Sequence, residues 1–212
     1  TAALHLQASK QLSERASLSD WPFRWSLAQA RIQESAGAWE AALDLLDAAR
    51  RLYVRNPVPD LRPVAAIRAR ISIRQGGLTA ALAWAAEHGL SAADDLSYLR
   101  EFEHMTLARL LIARYRQERA ASHLHDALGL LGRLLAVAEA GGRVGSAIEI
   151  LLLQALAHEA HGDLHYALVP LARALALAEP EGYVRLFVDE GPPLARLLRR
   201  MQEEAGKVNV YL

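Results

Sequence analysis

The chain has 212 residues, 52% of them apolar, no cysteine, and 24 basic against 24 acidic side chains. That size allows one large domain or two small ones with a sizeable core, and the lack of cysteine excludes disulfides and thiolate metal sites and fits a reducing cytosol. The charge balance argues against a surface that grips nucleic acid, and apolar runs such as Leu134 to Ala138 fall far short of the ~20 residues of a membrane span.

Ala, Leu, Arg, Glu and Gln dominate, and alternation at period two is never sustained, so an all-α chain is expected. Residues 1–16 read as one helix whose partner is missing. Asp20, before Trp21-Pro22, stands where an N-cap is wanted. A first helix pair follows near 21–55, broken at Gly37. Asn56 to Pro63 holds three prolines in eight residues and must be a loop. A second pair near 64–90 breaks at Gly76-Gly77. Ser91-Ala92-Ala93-Asp94 has the pattern of a capping box, with Asp in place of Glu. The third pair, near 94–140, has no glycine at its break, where Ser122 stands, and carries extra residues there. The fourth, near 143–178, breaks at Gly162. Residues 180–201 follow as a capping segment, with 202–212 as a tail or linker.

The second helices open on Ala42-Leu43, Ala81-Leu82, Ala127-Leu128 and Ala167-Leu168, at intervals of 39, 46 and 40 residues. A period near forty with two helices per unit indicates an α-solenoid of the tetratricopeptide-like kind, a right-handed superhelix of antiparallel helix pairs. The small residue allows the second helix to approach the first.

Catalytic motifs are missing. Gly141-Gly142-Arg143-Val144-Gly145-Ser146 lacks the lysine of a phosphate loop and reads as a turn between helices. His158-Glu159-Ala160-His161 places its histidines at i and i+3, one residue short of a zinc-protease motif. No enzyme activity, cofactor or metal is expected. One recurrence asks for more. Ala30-Arg31, Ala69-Arg70 and Ala108-Arg109 lie 39 residues apart in three successive first helices, and the fourth helix breaks the series with Ala155-Leu156. Stacked repeats would turn this into a ladder of guanidiniums on one concave face, fit for carboxylates and planar anions. The alternative is internal pairing with Glu34, Glu101, Glu103 or Glu149. Trp25, Phe102 and Tyr98 are near enough in sequence to wall such a site. The candidate effector-binding set is Arg31, Arg70, Arg109, Trp25, Glu101, Phe102 and Glu149.

Several stretches, above all LREFEHMTLAR (Leu99–Arg109) and AEPEGYVRLFVDEG (Ala178–Gly191), resemble the helical-repeat domain of MalT-type, LuxR-family ATP-dependent transcriptional regulators of the STAND class. The likeness covers nearly all of residues 1–201. It departs at Ser13 and Ser122, where relatives or sister repeats carry glycine. The resemblance implies a cytoplasmic sensor and scaffold that lies between an ATPase module and a helix-turn-helix module, neither of which this segment contains. A small-molecule inducer or a regulatory protein would be the partner, with no DNA binding by this segment. A passive peptide- or protein-binding scaffold is the other reading. Asp189 and Glu190 are then either part of a solenoid cap or a contact with a neighbouring module.

Overall fold

The computed structural model describes residues 2–15, 20–53 and 59–209; the start of the proline loop (residues 56–58) and the end of the tail (residues 210–212) lie outside it. Among the described residues there are eleven α-helices, one 3-10 turn and no strand. They are α1 (Ala2–Arg15), α2 (Trp21–Ser35), α3 (Trp39–Leu52), α4 (Val64–Arg74), α5 (Leu78–Glu87), the 3-10 turn Tyr98–Arg100, α6 (Glu101–Glu118), α7 (Ala121–Ala140), α8 (Val144–His161), α9 (Leu164–Ala178), α10 (Val184–Val188) and α11 (Pro192–Asn209). The fold is an all-α, tetratricopeptide-like array. Short connections make hairpins of α2/α3, α4/α5, α6/α7 and α8/α9, and each hairpin packs on the next. First helices also touch directly, α4 on α6 and α6 on α8.

The recurring alanines explain how closely the helices approach. Ala42, Ala81, Ala127 and Ala167 are all 0% exposed. The matching first-helix alanines, Ala30, Ala69 and Ala108, are buried as well. A larger side chain at these points would force the axes apart. Most of the core is one apolar cluster running from Ala66 to Leu197, and a smaller one around Leu46 and Ile71 serves the first hairpin.

The hairpin breaks need a left-handed residue. Gly162 supplies it after α8 at φ 99°. In the third hairpin the left-handed position falls to Arg119, at φ 56°, not to Ser122, which lies inside α7. Arg119 offsets the strain by donating to the Ala160 carbonyl at 2.9 Å. The seven extra residues lengthen α6 and α7 instead of widening the loop.

Two expected boundaries shift. Ser91 and Asp94 do make the capping bond, Ser91 N–H to Asp94 Oδ2 at 3.0 Å, but they close a turn and no helix follows until Glu101. Asp94 instead receives His104 Nε2 at 3.1 Å, which ties the turn to α6. Asp20 occupies the N-cap position of α2, yet its carboxylate pairs with Arg24 at 2.7 Å rather than with a backbone N–H. At the other end α11 begins at Pro192 and runs on through 202–209, with Arg200 pairing with Glu203 and Glu204 one turn ahead.

Candidate functional site

The polar chemistry of the chain collects on α6. Residues 101 to 108 are buried without a gap, including Glu101, Glu103, His104 and Thr106. A helix buried on every side cannot leave such groups unpaired, and each has a partner. Glu101 accepts from Arg143 Nε at 2.9 Å and from the Ser146 hydroxyl. Glu103 takes Arg100 at 3.0 Å. Both ring nitrogens of His104 face acceptors, the Arg100 carbonyl and Asp94. The Asp94 carboxyl is held below its ordinary value first by the Ser91 N–H and then by His104.

Arg70 on α4 crosses to this helix. Its Nε donates to Thr106 Oγ1 at 2.8 Å, while the Thr106 hydroxyl donates to the Phe102 carbonyl at 2.7 Å. The guanidinium lies on the Phe102 ring, 3.7 Å from its centroid, and the Arg62 guanidinium approaches the same ring at 5.3 Å. One terminal nitrogen of Arg70 donates to Glu149 Oε1 on α8 at 2.6 Å, and Arg109 on α6 donates to the same oxygen at 3.0 Å. Arg109 then holds Glu190 through both of its terminal nitrogens. The result is a continuous chain, Arg70–Glu149–Arg109–Glu190, across three first helices and the capping segment. All four side chains are at most 20% exposed.

The electrostatics follow from this sharing. Burial works to raise the Glu149 carboxyl, but Arg70 and then Arg109 overcome it and hold it at about 2. Arg70 is pushed down to about 10, first by burial, with Glu149 opposing and Arg109 adding its repulsion. It remains charged at neutral pH. Arg109 resists the same burial because Glu190 and Glu149 both favour its charged form, and it moves up. Glu149 therefore imposes a pH dependence on the fold. Its value falls from 4.5 unfolded to about 2 folded, so its contribution is complete above pH 4.5 and is lost as pH falls through 2. Urea midpoints at pH 5.5 and 2.5 should fall further apart in the native chain than in Glu149→Gln, and equal differences would refute this.

The three-rung arginine ladder is only partly realised. Arg70 and Arg109 come together, whereas Arg31 is exposed and joins no ion pair among the described residues. Arg70 and Arg109 share Glu149, whereas no carboxylate pairs with Arg31 among the described residues, so nothing draws Arg31 inward. The fourth first helix contributes Glu149 to the column rather than Ala155-Leu156, which are buried core. Phe102 belongs to the site. Glu101 serves Arg143 instead. Trp25 lies at the other end of the chain's fold, under Lys10 of α1 at 5.1 Å. Glu34 accepts from Arg74 at 2.6 Å, and a second nitrogen of Arg74 donates to the Asp189 carbonyl. The Asp189 carboxylate itself pairs with Arg185 at 2.7 Å. Arg62, Arg74 and Thr106 were missed. Arg74 lies one turn beyond Arg70 on the same helix face, a spacing that could have revealed it.

Other features carry less chemistry. A cavity of about 400 Å³ opens beside α5, α6 and α7, walled by side chains such as Leu82, Leu107, Leu110 and Leu111. Its arginine, Arg114, is tied to Glu118. His161 Nδ1 meets the Tyr115 hydroxyl at 2.8 Å, and His158 packs near the Tyr166 ring, so the two histidines diverge. No described helix is long and apolar enough to cross a membrane.

Comparison with protein families matches residues 1–204 to the MalT-like TPR region. Comparisons with curated proteins and with solved structures give no significant match.

Proposed function

The chain belongs to the MalT-like TPR region family, and on that premise we propose that it is the sensor segment of a LuxR-type, STAND-class transcriptional activator working in the cytoplasm. It has no enzymatic role of its own in this reading. A small effector or a regulatory protein binds the concave, first-helix face. Occupancy then shifts the chain between pre-existing conformations, and attached ATPase and DNA-binding modules respond. The observation that carries the proposal is the buried Arg70–Glu149–Arg109–Glu190 chain of charges across the first helices. Pure stability rarely calls for such a network, since apolar residues of similar volume often serve as well. Its geometry also joins α4, α6, α8 and the cap, so a ligand that disturbs one pair acts on all four elements.

The experiment is a thermal-shift screen of metabolites on the chain, repeated on Arg70→Lys. A sensor should show at least one compound that raises the melting temperature of the native chain and loses its effect in the variant. A groove that binds only peptides or proteins, with no metabolite acting through Arg70, would favour the passive scaffold instead.

A further inference from the structure

The turn at Asp189-Glu190-Gly191 lies across the first-helix face and does not simply end the array. Glu190 reaches Arg109, 81 residues earlier in the chain, and Asp189 reaches Arg74, 115 residues earlier. The Glu190 side chain is only 9% exposed. The turn that carries it lies between α10 and α11, and only α11 is firmly anchored, through buried Leu194 and Leu197. Helix α10 has five residues, none fully buried, and Val184 and Val188 are largely exposed. Leu186 and Phe187 rest against the core, and the Tyr183 ring lies against Gly145. A buried carboxylate is thus delivered to a buried guanidinium by a turn that is lightly held on its α10 side.

The charge balance shows what that carboxylate does. With Glu190 in place, Arg70 and Arg109 meet two carboxylates. Without it they share Glu149 alone, while Arg62 stands over Phe102 with no ion pair among the described residues. Arg109 would be left with two terminal nitrogens aimed at an empty position, a costly state for a desolvated guanidinium. Another planar carboxylate would satisfy it in the same two-point geometry. Glu190 fills that position with a single side-chain carboxylate beside buried Glu149, Thr106 and Phe102, so an equivalent occupant is a small carboxylate.

We infer that Arg109 anchors a binding site for a small carboxylate ligand, and that Glu190 is its built-in occupant, which the ligand displaces. The inference rests on the sensor reading above and supplies its ligand chemistry. Displacement frees Glu190 and Asp189 together, so the turn between α10 and α11 lifts from α4 and α6 as the ligand arrives, while α11 stays packed.

The test uses succinate as probe, titrated calorimetrically at constant ionic strength into the native chain, Glu190→Gln and Glu190→Ala. Removing a tethered competitor should tighten succinate binding at least about tenfold in both variants. Adding Arg109→Met to Glu190→Gln should abolish it, and succinamide, the neutral analogue, should not bind. Unchanged affinity in the Glu190 variants would overturn the inference, as would binding that survives Arg109→Met in a chain whose circular dichroism shows it folded. If a neutral metabolite acts through Arg70 while the Glu190 variants gain nothing, the sensor reading stands and this inference fails. If they gain succinate binding while no metabolite shifts the native chain, the carboxylate site stands and the sensor reading fails.

Discussion

Replacing Glu149 by alanine should lower the unfolding free energy by about 3–5 kcal/mol, the range for removing one partner of a buried ion pair. Glu149 is the only carboxylate that both Arg70 and Arg109 touch among the described residues. Without it the two guanidiniums repel across a space that water enters poorly. Arg70 loses more, because its remaining bonds go to a hydroxyl and a carbonyl. Arg109 keeps Glu190. Glutamine at 149 should cost less than alanine, since its amide oxygen still accepts a hydrogen bond. Urea denaturation at neutral pH measures both. A loss below about 1 kcal/mol in Glu149→Ala would mean that water solvates the arginines freely and that the site is open. The exposed Arg24–Asp20 pair is the contrast, and breaking it should be scarcely measurable.

Truncating Leu152 to alanine should cost about 2–5 kcal/mol. The reason is the position of α8, where Ala147 to Leu153 are all buried and Leu152 is 0% exposed. A helix buried on every side has neighbours on every side. For α8 these are α6, α7, α9, α10 and α11. No adjacent helix can collapse into the hole without losing a second contact, so the cavity term stays large. Val169→Ala, at a position 64% exposed, should change stability by no more than about 0.5 kcal/mol. Denaturant midpoints decide the matter. Similar losses at both positions would show that α8 is not the packing centre.

The repeat was legible because its cause is local. A small residue must sit where two helices touch, and a left-handed residue must end the first helix. Ala42, Ala81, Ala127, Ala167 and Gly162 therefore carry their roles in their spacing. Arg119 does not, since nothing in the identity of an arginine announces φ 56°. Ser91 and Asp94 misled for a related reason: their mutual bond is local and real, but a turn satisfies it as well as a helix does. The site was half visible. Equal spacing identifies residues on one face, which brought out Arg70 and Arg109. It does not say which charge stands opposite, and so it could not separate Arg31 in solvent from Arg70 under Glu149. The return of Glu190 to Arg109 was beyond reach, because Glu190 lies in the capping segment outside the helix pairs and the repeat period does not place it. From the sequence, Glu190 and Asp189 are either part of a solenoid cap or a contact with a neighbouring module, and within this chain they meet Arg109 and Arg74.

The bond from Arg74 to the Asp189 carbonyl has a kinetic meaning. A linear array of hairpins behaves like a row of coupled units, each held only by its neighbours, and can assemble from either end or fray from it. Joining the final turn to the second hairpin adds a contact of very high sequence separation. It can form only after the intervening hairpins have docked, since its loop-closure entropy is repaid by few interactions. The chain therefore zips through local steps and is fastened last. Once fastened, loss of the last hairpin must also break the closing bond, so the second to fourth hairpins give up their independence and melt more nearly as one unit, with α2 and α3 outside the closed loop.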